Sequence, residues 1–226
     1  MRVAPAVAIK ASHLSINARV AQRAGECVTA LTLMGAPMRF SRNTEIYGED
    51  EPAEYFYQVV SGAVRTYKVL EDGRRQICAF YLPGDVFGFE AANNHMASAE
   101  AIGETHVLVT KRSAIMTRAG YEKDLARQLW DATAQELRRF QEHMLLLIKS
   151  AEERVAGFLV EMARRASRTT AIDLPMSRQD IADYLGLTIE TVCRTFTQLE
   201  QDGLIMLPTS RRVELRNYKA LTQLSA

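Results

Sequence analysis

The sequence predicts an α+β chain: an antiparallel β sandwich or barrel, then one long helix, then a winged helix-turn-helix. Three observations predict it. Short β-rich runs broken by turn residues fill residues 39–111. From Tyr121 to Ser150 there is neither proline nor glycine. Two short amphipathic segments then meet at Gly186 and are followed by a hairpin pattern.

The strands come first. Glu54–Val60 (EYFYQVV) is aromatic and β-branched, and Ser61-Gly62 ends it. Ala63–Leu70 (AVRTYKVL) alternates in part, with Val64, Thr66 and Lys68 on one face and Arg65, Tyr67 and Val69 on the other. Glu71-Asp72-Gly73 is a turn signal. Gln76–Leu82 (QICAFYL) follows and stops at Pro83-Gly84-Asp85, and Thr105–Thr110 (THVLVT) is a further strand. Cys78, between Ile77 and Ala79, is expected to be a core thiol. Short strands at this spacing suggest a sandwich or barrel.

The long helix carries Leu129, Thr133, Leu137, Phe140, Met144, Leu147 and Ala151 at steps of three and four, a near-heptad seam. A helix of about 30 residues would be about 45 Å long, more than one compact domain usually needs. Two readings stand: an amphipathic helix facing its own core, or a subunit-pairing helix whose interface is Leu129, Thr133, Leu137, Phe140, Met144 and Leu147. A second helix is expected from Ser150 to Arg168, with Val155, Phe158, Leu159 and Met162 on one face. Ile172–Pro175 (IDLP) reads as a short strand.

Ser177–Gly203 (SRQDIADYLGLTIETVCRTFTQLEQDG) carries the function. Ser177 is an N-cap with Asp180 three residues on, a variant capping box. Ile181, Ala182 and Leu185 form an apolar face, Gly186 permits the turn, and Thr188 caps the second helix. That helix turns Val192, Phe196 and Leu199 inward. Its opposite face shows Ile189, Glu190, Cys193 and Arg194. In such motifs the first turns of the second helix meet base edges. Arginine can donate twice to guanine, and glutamate can accept from the cytosine amino group. Glu190, Cys193 and Arg194 are therefore the expected base contacts. A plain surface ion pair between Glu190 and Arg194 is the competing explanation. Ser177, Arg178, Thr188 and Thr191 are expected at the DNA backbone. Leu204–Pro208 and Arg212–Leu215 form a wing, with Arg211 and Arg212 near its tip as phosphate contacts or as solvated turn residues.

Length and composition agree with two domains: 226 residues, 47% apolar. The expected division is a leader at 1–26, a roll at 27–120, a pairing helix at 121–150 and a DNA-binding domain at 151–226. A net charge of +1 does not announce a nucleic-acid binder, so the case rests on where the arginines sit. Met1–Ser12 lacks a long apolar core and reads as a loose leader of a cytoplasmic protein. No apolar run reaches the roughly 18 residues of a membrane span. Three scattered cysteines, Cys27, Cys78 and Cys193, argue against a disulfide scaffold or zinc site. His13, His95, His106 and His143 form no metal pair. No G-x-S-x-G, H-E-x-x-H, Walker lysine or Rossmann fingerprint is present, so an enzyme is not expected. Glu100 and Glu104 have nothing to support them as acid and base. No cofactor and no metal are expected.

The stretch Ile181–Arg194 (IADYLGLTIETVCR) resembles the CRP/FNR family of bacterial transcription regulators, and the resemblance covers nearly the whole chain. It implies a cyclic-nucleotide-binding-like β-roll, a long dimerisation helix and a winged helix-turn-helix. The FNR branch carries E-x-x-S-R on its recognition helix; Glu190 and Arg194 match, and Cys193 replaces the serine. The CRP branch has arginine before the glutamate, where this chain has Ile189. The resemblance therefore implies a homodimer on a TTGAT-N4-ATCAA-like palindrome, with RNA polymerase as a further partner. Gly88-Phe89-Glu90 keeps the outline of a cyclic-nucleotide site, but residues 93–101 (NNHMASAEA) lack the arginine that would hold the phosphate. The cysteines cannot ligate an iron–sulfur cluster of the FNR type. What remains resembles the FixK-like subgroup, commonly activators of genes for oxygen-limited respiration or nitrogen fixation. An effector-gated regulator with a small ligand in the roll is the alternative. Cys193, at a DNA-facing helix terminus, is a candidate redox switch or simply a small replacement for serine.

Overall fold

A computed structural model describes residues 35–166 and 170–225. The expected leader, Cys27 and His13 lie outside the described residues, as do residues 167–169 at the expected end of the second helix. The described residues form two compact units: one joins those up to Thr66 with Phe80–Gln135, the other joins Tyr67–Ala79 with those from Glu136 onward.

The first unit is built on the antiparallel roll, whose hairpin Tyr67–Ala79 belongs to the second unit. One sheet orders β1 (Ala36–Phe40), β8 (Thr105–Lys111), β3 (Tyr55–Ser61) and β6 (Val86–Phe87). The other orders β2 (Glu45–Tyr47), β7 (Ser98–Ala101), β4 (Val64–Val69) and β5 (Arg75–Tyr81). The four expected strands are β3, β4, β5 and β8, each within a residue or two of its expected bounds. The strands too short to show a period, such as β6, exist because they pair with a long neighbour.

Val59, Val64, Phe80, Phe87, Ala99 and Val107 line the buried interior, and Tyr57 and Tyr81 stack on Phe87 at 5.1 and 4.9 Å. At Gly62 φ is +84°, and a Cβ there would strike Glu104 O and Thr105. Only glycine meets both demands.

Two details depart from expectation. Val64, Arg65 and Thr66 are all buried, so the front of β4 does not alternate. Arg65 is taken inside by Glu100, to which its Nη2 donates at 2.5 Å. Cys78 is exposed, not a core thiol, because alternation along β5 puts it on the face opposite the buried Ile77.

The roll leads into α1 (Arg112–Ala119), a short helix with Ile115 packed on Phe56. The long helix α2 covers Lys123–Leu147, and α3 (Ala151–Arg165) follows from a capping box between Ser150 and Glu153. No helix among the described residues is long and apolar enough to cross a membrane.

In the second unit α3 buries Val155, Phe158, Leu159 and Met162, the face expected from sequence. It packs against α5 (Ile189–Gln201) and a C-terminal helix, α6 (Tyr218–Leu224). Between these elements lie α4 (Arg178–Leu185) and a three-stranded sheet, β10 (Ile205–Met206), β11 (Arg212–Leu215) and β9 (Ala171–Asp173). Leu174, Met176, Ile181, Leu185, Phe196, Leu199 and Leu221 are buried together there.

Candidate nucleic-acid interface

The helix-turn-helix is built by caps. Ser177 Oγ accepts from the Asp180 amide at 3.1 Å, while Asp180 Oδ2 accepts from the Ser177 amide at 2.9 Å and its hydroxyl at 2.8 Å. This is the expected capping box, with aspartate in the glutamate's place. Gly186 ends α4 in the left-handed region at φ +62°, ψ +39°. Thr188 then caps α5 by accepting from the Thr191 amide at 3.2 Å. Such a cap contributes about 1 kcal/mol. The two caps and the glycine thus set the angle between α4 and α5 locally.

Burial sorts α5 cleanly. Val192, Thr195, Phe196 and Leu199 are buried, and Glu190, Cys193 and Arg194 are exposed on the opposite face. Thr197 joins them, at the position one helical period beyond Arg194 and Cys193, where the sequence motif had ended. The competing ion pair is absent: among the described residues, no carboxylate lies within 4.0 Å of Arg194, Glu190 included. Glu190 instead folds back on its own amide and on the Thr188 hydroxyl, which hold its carboxyl below the usual range. A charged acceptor and an unpaired guanidinium are therefore presented side by side.

The expected backbone contacts divide. Thr188 is exposed and Thr191 half-buried, their hydroxyls 3.1 Å apart. Ser177 is half-buried in its box. Arg178 does something different: its guanidinium lies over the Phe196 ring, 3.3 Å from the centroid, and its Nη1 is buried without a hydrogen-bond partner. Burial lowers its pKa to about 10. Arg178 thus braces α4 on the inner face of α5. In the wing, the Thr209 hydroxyl oxygen accepts from the amides of Arg211 and Arg212. Both side chains are exposed but tethered, Arg211 to Pro175 O at 2.9 Å and Arg212 to Asp173 at 3.4 Å.

On α2 the middle of the expected seam is exposed and its two ends are half-buried. Leu129 is half-buried against Phe56 and Ile115, so it serves the roll's own packing. Leu147 is half-buried as well. Thr133, Leu137, Phe140 and Met144 are exposed, and Trp130, Leu145 and Ile148 extend their stripe. A near-heptad count does not say which residues of the seam the chain's own core covers; packing does.

In the roll, Glu90 Oε1 lies 3.3 Å from His95 Nδ1, and His95 is buried flat against Tyr47 at 3.5 Å. Glu104 pairs with Arg39 at 2.9 Å, as Glu100 does with Arg65. Both carboxylates are thus matched to arginines.

Fold and site together define a transcription regulator that reads DNA through a winged helix-turn-helix. Residues 153–224 match the Crp-like helix-turn-helix domain, and residues 37–118 the cyclic nucleotide-binding domain. The chain belongs to the CRP/FNR family, among its FixK-like members. It is 52% identical over 210 residues to the nitrogen fixation regulation protein FixK of Azorhizobium caulinodans, a match covering 90% of this chain and 84% of that protein. FixK of Rhizobium meliloti is 44% identical over 181 residues, covering 80% and 82%. The solved structure of FixK2 from Bradyrhizobium japonicum superimposes with a TM-score of 0.82 at 53% identity, covering 85% of this chain and 98% of that one.

Proposed function

We propose that this regulator binds a TTGAT-N4-ATCAA-like palindrome as a homodimer in the cytoplasm. There it acts with RNA polymerase to activate genes for oxygen-limited respiration or nitrogen fixation. Glu190, Cys193 and Arg194 meet the bases; Ser177, Thr188, Thr191, Arg211 and Arg212 meet the backbone, with Arg178 bracing the pair of helices. The observation that carries this is Arg194, exposed and unpaired one turn from Glu190. An arginine kept from its nearest carboxylate is available for guanine O6 and N7. The exposed stripe Trp130, Thr133, Leu137, Phe140 and Met144 supports pairing of two copies along α2. The FixK relatives support the physiology.

Selection of binding sites from random DNA with purified protein tests the proposal. Two TTGAT-type arms in inverted repeat are expected. A non-palindromic site, or no enriched site, rejects it. Cys193 adds a proposed switch: peroxide converts its exposed thiol to a sulfenic acid, with water as the other product, and puts polar bulk against the duplex. Peroxide should weaken operator binding by the parent and not by Cys193→Ser. Equal loss in both rejects Cys193 as the switch.

A second reading, a small effector in the roll, is favoured by the match of residues 37–118. A thermal-shift screen followed by operator binding with each hit separates the two.

A further inference from the structure

The hairpin Tyr67–Ala79 of β4 and β5 belongs to the DNA-reading unit, and Arg75, the first residue of β5, ties it to α4. Arg75 Nη2 donates to Asp180 Oδ1 at 2.7 Å, and its Nε donates to Asp183 Oδ2 at 2.8 Å. The two carboxylates sit one turn apart on α4, over 100 residues away in sequence. Asp180 is only 3% exposed, and its other oxygen already serves the Ser177 cap. Its charge therefore has Arg75 as the cation that compensates burial. Tyr67 supports the guanidinium from 5.6 Å. The next residue, Gln76, donates through Nε2 to Tyr184 O at 3.3 Å, near the far end of the same helix. The hairpin thus grips α4 at both ends. Helix α4 in turn carries α5, through the Gly186 turn and the stack of Arg178 on Phe196.

We propose that Arg75 is a positioning residue for DNA reading: from the hairpin it fixes α4, and through α4 the helix that meets the bases. The planar fork of arginine suits this task because two carboxylates are held in one geometry at once. Lysine, a single flexible point charge, restores charge but not the fork. The inference rests on the operator reading above and adds a residue remote from the DNA-facing side chains.

The test compares the full-length parent, Arg75→Ala, Arg75→Lys and Arg194→Ala. Each is titrated against the selected operator and against a random duplex of the same length. Arg75→Ala should lose operator affinity roughly tenfold while its affinity for the random duplex stays within about twofold, because backbone attraction does not depend on helix angle. Arg75→Lys should recover only part of the loss. Unchanged operator affinity in Arg75→Ala, equal loss on both duplexes, or full recovery by Arg75→Lys overturns the proposal. If Arg75→Ala does not fold, Gln76→Ala removes the other grip and is read in the same way: selective operator loss supports the proposal, and no loss or equal loss on both duplexes overturns it. Arg194→Ala separates the two levels. If it binds operator like the parent, the base-contact reading fails; if it loses operator while Arg75→Ala does not, only the present inference fails.

Discussion

His143 lies flat on Tyr184, ring centroids 3.9 Å apart and planes 9° from parallel, and its Nε2 donates to that residue's backbone carbonyl at 2.8 Å. The long helix α2 is thereby fixed to α4 by a stack and a hydrogen bond at one residue. Tyr184 O also receives Gln76, so three elements converge on it.

Burial lowers the His143 pKa from the ordinary 6.5, against the opposing effect of its bond to Tyr184 O, and burial lowers His95 likewise. The unfolded chain therefore takes up protons at higher pH than the folded one. Stability is fully present above 6.5 and is lost as pH falls below it. Thermal unfolding between pH 8 and pH 5 should show this decline, and His143→Gln should flatten it. An unchanged slope in the variant would contradict the assignment.

Arg194→Ala should cost roughly 1–3 kcal/mol of operator binding and relax preference at one base pair, while Arg211→Ala should weaken all sequences alike and reduce the salt slope by about one. Titrations at several salt concentrations, on operator and single-base variants, separate the two behaviours. The tether of Arg211 to Pro175 makes the second outcome the more demanding one, since the side chain must let go to reach a phosphate.

Ser177→Ala removes the acceptor for the Asp180 amide and should destabilise the second unit by about 1 kcal/mol, read by denaturant unfolding. Gly186→Ala should cost a further comparable amount, about 1–2 kcal/mol, from the left-handed backbone alone. The added Cβ would find only ordinary contacts, Arg154 at 3.6 Å and Leu147 at 3.8 Å. A neutral Gly186→Ala would mean that the turn relaxes.

Trp130 is the sole tryptophan of the chain and is 74% exposed on the outward stripe of α2. If two copies pair there, its emission should be blue-shifted at high protein concentration and move red on dilution. Leu137→Lys should leave it red-shifted at all concentrations, with a monomer mass by sedimentation. A Leu137→Lys protein that remains dimeric would place the interface elsewhere.

Local rules made much of this legible. The roll's longer strands, the capping box at Ser177, the glycine turn and the outward Glu190 and Arg194 all follow from period, cap and turn chemistry within a few residues. The small strands of the roll, β1, β2, β6 and β7, and the helices α1 and α6 escaped because they carry too few residues for a period to show. They are held by neighbours distant in sequence.

The sequence by itself therefore determined the kind of protein and the face of α5 that stays exposed, because an amphipathic period and its caps are properties of adjacent residues. Only the tertiary structure decided which side of α2 is exposed, that Cys78 faces out, that Arg178 stacks on Phe196, and that Arg75 holds Asp180 and Asp183. Those facts depend on which remote side chains fill the neighbouring space and compensate each buried charge. No local pattern in the chain specifies that.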